Sequence, residues 1–67
     1  MSVVKVIELI GESPTSWEEA TKNALAVANK TIRNIVGIDV DHFTAKVKEG
    51  KITAFRANVR VAFKYEE

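Results

Sequence analysis

The sequence predicts an α+β fold of the order β-α-β-β, with a three-stranded antiparallel sheet wrapped around one helix. A β-branched stretch comes first and is followed by a capped amphipathic stretch. Two stretches with alternating polarity then end the chain, separated by a short Glu-Gly turn. With 67 residues, we expect a single domain over residues 1–67.

The first strand is predicted over residues 3–10, VVKVIELI, which are rich in β-branched side chains and end before Gly11. Both faces of this stretch are mainly apolar. A strand in a two-layer domain buries one face, so the second face needs a covering that so short a chain has few residues to supply.

The helix is predicted over residues 16–34. Thr15 with Glu18, and Ser16 with Glu19, each have the spacing of a capping box at its start, and Gly37 stands just past its end, where helices often need a left-handed residue. The alanine-rich apolar face covers about half of the circumference, which is wider than usual. This face comprises Trp17, Ala20, Ala24, Val27, Ala28, Thr31 and Ile35.

Two further strands are predicted over residues 38–48 and 52–65, joined as a hairpin. The apolar parity of the first of them changes near Asp41 and His42, which indicates a β-bulge there. The helix brings the chain back, so the first two strands run parallel, and the hairpin makes the last strand antiparallel to the second. The simplest fully antiparallel sheet therefore places the last strand in the middle, in the order 1-3-2.

The last strand is predicted to extend past the helix, because it reaches roughly 46 Å at ~3.3 Å per residue and the helix about 28 Å at ~1.5 Å per residue. A chain this short needs disulfides, a structural metal or oligomerisation. It has no cysteine and one histidine, which leaves oligomerisation. We therefore expect identical copies to cover the projecting apolar surface.

Charge and composition narrow the possible functions. The net charge of +1 predicts neither nucleic-acid nor anionic-membrane partners, and no apolar run approaches the ~20 residues of a membrane span. A cytoplasmic location is expected. His42 has no second histidine, cysteine or serine elbow beside it, so the sequence predicts no enzyme.

Three features are candidate functional residues. A basic row on the last strand could bind an anionic ligand, with Arg56 foremost, although pairing with acids on neighbouring strands is the favoured interpretation. Asp39 and Asp41 share a strand face, but calcium needs six to eight oxygen ligands, so symmetry would have to add more. Trp17 is a stacking residue or, as we favour, packs in the core or an interface. The basic row comprises Arg56, Asn58, Arg60 and Lys64.

The order and spacing of these elements, with the stretches VIELIGESPTSWEEA, ALAVANKTIRNI and VRVAFKYEE, resemble the dodecin family over essentially the whole chain. The resemblance implies a hollow homo-dodecamer that is not an enzyme. Many dodecins bind the flavins FMN or riboflavin at subunit interfaces and serve as storage or sequestering proteins. The PTSWEEA segment is similar to calcium-associated dodecins, which makes calcium the alternative ligand.

The resemblance also assigns candidate ligand contacts. Flavin-binding dodecins use a tryptophan after the helix, a glutamine on the last strand and, in some members, an arginine that holds the phosphate. The aligned positions here are Gly37, Arg56 and Thr44, and glycine offers no ring for stacking, so any flavin is expected to bind weakly. The alternatives are a shell that holds calcium or another cation at Asp39 or Asp41, or a purely structural or partner-binding assembly.

Overall fold

The computed structural model describes residues 3–65 and contains one helix and one sheet. The sheet has the order β1-β3-β2, and both pairs of neighbouring strands are antiparallel. The predicted α+β fold and strand order are confirmed, whereas residues 1–2 and 66–67 of the expected domain lie outside the described part. The elements are β1 (Val3–Ser13), α1 (Trp17–Thr31), β2 (Ile35–Lys48) and β3 (Lys51–Tyr65).

The helix starts where its cap predicts. Ser16 is the N-cap, and its Oγ accepts a hydrogen bond from the backbone N–H of Glu19 at 3.0 Å. The Oγ of Ser13, which is 1% exposed, accepts a hydrogen bond from the backbone N–H of Thr15 at 3.1 Å. The first bond satisfies an N–H that the helix start would otherwise leave unpaired, and the second satisfies an N–H of the loop before the helix.

The helix ends at Thr31, so the expected extension to residue 34 is wrong. Ile32 already has the extended conformation, with φ −112° and ψ 129°, and both Ile32 and Ile35 pack against the core from there. The left-handed residue at the reversal is Asn34, with φ 62°, because asparagine tolerates this region better than most residues. Gly37 therefore does not end the helix and lies within β2.

Small side chains form the core between α1 and the sheet. These small side chains allow α1 to lie close to β1. As a result, a Cβ added to Gly11 of β1 would lie only 2.0 Å from the carbonyl oxygen of Ala20. Val27, which the periodicity placed on the buried face, is 61% exposed, since the buried stripe of α1 is a single row of alanines at a spacing of four. The core cluster comprises Ala20, Ala24, Ala28, Ala57, Val59 and Val61.

A β-bulge occurs in β2 where the change of parity predicts it. Val40 pairs with Val59, and His42 pairs with Asn58, so Asp41 is an additional residue between the two pairs. In such a bulge two residues of one strand face one residue of its partner, and the local twist increases. The bulge therefore changes the direction of the Asp41 side chain, which pairs with Arg60 of β3.

The β2–β3 hairpin is confirmed, and it projects beyond the helix. Glu49 and Gly50 form the turn with φ 52° and φ 76°, as a two-residue turn of type I′ requires. Trp17, the first helical residue, contacts the ribbon at Thr44, and the strands continue from there for roughly 17 Å at ~3.3 Å per residue. The molecule measures 51 × 19 × 14 Å. Within residues 3–65 no helix is long and apolar enough to cross a membrane.

Candidate functional site

The polar residues that the sequence singled out lie on the outer face of the sheet, which is the face turned away from α1. Side chains alternate along β3, and Ala57, Val59 and Val61 are buried in the core. Their neighbours therefore point outward. The outward residues at this level are Arg56, Asn58 and Arg60.

Two ion pairs cross the outer face. Arg56 stands opposite Glu12 of β1, and its Nε donates to Glu12 Oε2 at 2.9 Å. Arg60 donates to Asp41 Oδ1 twice, from Nη2 at 2.8 Å and from Nε at 3.1 Å. Both pairs are partly exposed, so they orient the side chains more than they stabilise the fold. At these two positions the basic row pairs with acids on neighbouring strands, as the favoured interpretation predicted.

Three carboxylates surround Arg60. Glu8 of β1 and Asp39 of β2 are its direct cross-strand partners, and Asp41 reaches it from the bulge. The hydrogen bond and the charge of Asp41 raise the pKa of Arg60, and the charges of Asp39 and Glu8 raise it further. One guanidinium faces three acids, so an excess of negative charge remains. We call Glu8, Asp39 and Asp41 around Arg60 the acidic patch.

Of the three expected flavin contacts, the structure brings two together. Thr44 of β2 and Arg56 of β3 are direct cross-strand partners. Gly37 stands opposite Ala62, six residues further along β3 than Arg56, which corresponds to roughly 20 Å at ~3.3 Å per residue. A site that used all three residues would therefore have to combine residues from more than one copy.

Gly37 lines an open groove of about 560 Å³ between α1 and the start of β2. Among the described residues, nothing lies within 4 Å of the position that a Cβ of Gly37 would take. The glycine thus leaves space where a larger residue would project. The other lining residues are mainly apolar and comprise Lys22, Leu25, Ala26, Asn29, Ile35, Val36 and Ile38.

The two aspartates that the sequence marked for a cation do not form a complete site in one chain. Asp41 uses Oδ1 for Arg60, and Asp39 stands opposite the same arginine. In the part of the chain that the structure describes, no group of three or more His, Cys, Asp or Glu side chains is placed to hold a metal ion. A calcium site of six to eight oxygens would therefore need ligands from further copies.

Trp17 connects the start of α1 to the hairpin through a hydrogen bond and two ring contacts. Its Nε1 donates to the carbonyl oxygen of Thr44 at 2.8 Å. Its ring meets the ring of Phe55 edge-on, with centroids 4.8 Å apart, and is tilted at 54° to the ring of Phe43 at 6.0 Å. Trp17 thus packs against aromatic rings of the hairpin but is 39% exposed and lies outside the core cluster. It also holds the backbone of a candidate ligand contact.

Sequence reasoning overlooked the acids of β1. Glu8 and Glu12 are four residues apart, as are Arg56 and Arg60 on β3. In an antiparallel pair with the right register, equal spacings bring both acids opposite both arginines, and the structure has this register. The spacing was therefore a usable signal once the strand order 1-3-2 was predicted.

Comparison with known proteins agrees with this architecture. A family model described as Dodecin matches residues 3–66. The calcium dodecin of Mycobacterium tuberculosis is 43% identical over 65 residues, covering 96% of this chain and 90% of that protein. The dodecin of Thermus thermophilus is 32% identical over 65 residues, covering 97% and 94%.

A solved structure shows the same fold. The crystal structure of the calcium-chelating calcium dodecin from Mycobacterium tuberculosis, which has a calcium-binding site, superposes with a TM-score of 0.86 at 39% identity and covers 97% of this chain and 93% of that one. The strand order, the single capped helix and these matches over nearly the full length agree with one another. The chain belongs to the dodecin family.

Proposed function

We propose that the chain is the subunit of a closed homo-dodecamer in the cytoplasm that binds and stores a small ligand and catalyses no reaction. The observation that carries this proposal is the excess of exposed surface. The chain exposes 5155 Å², whereas a compact monomer of its mass exposes about 4,200 Å². The difference, roughly 950 Å², is close to the ~800 Å² that each partner contributes to a stable interface.

Much of this excess is apolar. Among the described residues, thirteen large apolar side chains are exposed, whereas the seven buried apolar residues are all alanine or valine. Val4, Val6 and Ile10 of β1 are 51–66% exposed on the face of the sheet that α1 does not cover. Large apolar surface of this kind marks a contact with another molecule, and identical copies are the partner that the fold family favours.

Native mass spectrometry of the untreated protein tests the assembly. We expect one species with the mass of a dodecamer of 7.4 kDa chains, and a melting temperature that falls on dilution, because dissociation is linked to unfolding. A folded monomer at micromolar concentration would contradict the proposal.

We infer that the ligand is calcium. Support comes from the acidic patch, where three carboxylates face one guanidinium, and from the similarity to the calcium dodecin of Mycobacterium tuberculosis. Assembly can bring the patches of several copies together, which would supply the oxygens that one chain lacks.

Calcium binding is tested by thermal unfolding with and without the ion. We expect calcium to raise the melting temperature by mass action, more than magnesium does at the same concentration. The Asp39→Asn variant should lose this rise, whereas Glu18→Gln, a matched change on the exposed side of α1, should keep it. An equal rise for both ions, or none, would exclude a selective calcium site.

A flavin is the second candidate ligand, and the pairing of Thr44 with Arg56 favours it. The guanidinium of Arg56 could bind a flavin phosphate or ring edge if it left Glu12, and the groove beside Gly37 could take an apolar ring. Titration into FMN should quench flavin fluorescence, and Arg56→Gln should alter the affinity. Absence of quenching at micromolar flavin excludes this ligand; if calcium also fails, a structural or partner-binding assembly remains.

A further inference from the structure

The end of the β2–β3 ribbon, residues 46–52, extends beyond the helix and β1 as the structure describes them over residues 3–65. We call it the hairpin arm. It lies past Phe55, the contact between the ribbon and Trp17. A two-stranded ribbon is marginally stable by itself in water, so this arm lacks the support that α1 gives to the rest of the sheet.

The arm carries an apolar pair on its α1 side. Val47 and Ile52 stand opposite each other and are 62% and 55% exposed. Val47 follows Phe43 and Ala45 at the spacing of one strand face. The apolar face that α1 covers therefore continues past the end of the helix, where it is left uncovered.

Basic charge is also concentrated on the arm. Lys48 and Lys51 stand directly opposite each other, an arrangement that is unfavourable for like charges in an isolated pair of strands. Lys46 adds a third positive charge and Glu49 one negative charge, so the arm has an excess of two positive charges. A partner of opposite charge would relieve this repulsion.

The same chain offers such a partner surface. The acidic patch has three carboxylates against the single guanidinium of Arg60, an excess of two negative charges, beside the exposed Ile10 (66%). Arg60 is eight residues from Ile52 along β3, roughly 26 Å at ~3.3 Å per residue. At this separation along one strand, the arm cannot reach the patch of its own chain.

We propose that the hairpin arm of one copy docks on the acidic patch of a second copy, in a head-to-tail contact. This inference rests on the proposed homo-oligomer and adds which surfaces meet. It is an alternative to calcium at the acidic patch, because docked lysines would occupy the carboxylates that calcium would need. A head-to-tail contact joins two different surfaces, so it generates closed rings when the rotation closes. Opposite charges at the two surfaces set the register of the contact and exclude arm-to-arm pairing.

Complementary charge reversal tests the contact. The arm variant is Lys46→Glu with Lys48→Glu and Lys51→Glu, and the patch variant is Glu8→Lys with Asp39→Lys. Each alone should raise the protein concentration at half-dissociation about tenfold or more at low salt, and an equal mixture should return to within about threefold of the original. The control reverses two basic charges, Lys30→Glu on α1 and Arg33→Glu just after it, and should behave as the original.

An uncharged variant tests the apolar pair separately. Val47→Asn with Ile52→Asn keeps every charge and changes two exposed residues, so the subunit should fold but assemble about tenfold more weakly. Original protein that stays monomeric would overturn the proposed function and this contact together. If the original protein assembles but the variants assemble equally well, or if mixing does not restore assembly, the arm-to-patch contact alone is overturned.

Discussion

Replacing Gly11 with alanine tests the close contact between β1 and α1. The new Cβ would lie 2.0 Å from the carbonyl oxygen of Ala20 and 2.8 Å from the Cβ of Ala24. Favourable contacts between such atoms are about 3.5 Å long. The oxygen belongs to the helix backbone, so no side-chain rotation relieves the clash, and α1 and β1 must move apart by about 1 Å or more.

The cost of this separation follows from core overpacking. Inserting a methyl group into a well-packed core costs about 1–3 kcal/mol, and we expect the upper half of this range because both contacting elements are regular and their core is made of short side chains. Each kcal/mol lowers the melting temperature of so small a domain by about 4–8 °C, so the variant should melt roughly 10–20 °C lower.

Thermal unfolding followed by circular dichroism, at one fixed protein concentration, measures the effect. Gly37→Ala is the matched control, because it makes the same change within a strand where, among the described residues, no atom is within 4 Å of the new Cβ. Its stability should change by less than about 0.5 kcal/mol. Equal melting temperatures for the two variants would refute the close contact.

Three further substitutions probe local structure. Ser16→Ala removes the acceptor for the backbone N–H of Glu19 and should cost about 1 kcal/mol in urea unfolding; no loss would mean that another group caps α1. Trp17→Phe keeps an aromatic ring but loses the bond to the carbonyl of Thr44, so unfolding free energy should fall by about 0.5–1.5 kcal/mol, and an unchanged value would show that this bond contributes nothing. Glu49→Asn places a residue that tolerates φ 52° in the turn and should raise the melting temperature slightly; a decrease would contradict a strained Glu49.

Local patterns in the sequence were sufficient to predict the elements of this fold. The capping residue Ser16 marked the helix start, the Glu-Gly pair marked the hairpin, and the parity change near Asp41 marked the bulge. Each depends on residues within a few positions of one another, so a single chain is enough to recognise it. The length of the helix was harder to predict from the sequence, because the end of α1 depends on how Ile32 and Ile35 pack against the sheet.

The candidate sites were only partly predictable. Arg56, Thr44 and Asp41 were marked as polar outward residues, but the partners Glu12 and Glu8 are distant in the sequence and come close only through the register of β1 on β3. The separation of Gly37 from Arg56 along the sheet also depends on register. Pairing between strands places residues from opposite ends of the chain side by side, and local patterns carry little information about it.

The sequence by itself determined that the chain is a capped helix and three strands with too much apolar surface for one copy to hide, since periodicity, turn residues and length are local or additive properties. Only the tertiary structure decided which charges pair, where the helix stops and which apolar residues stay uncovered. Those outcomes depend on distances between elements, and the small alanine and valine core sets these distances by bringing α1 close against β1 and β3.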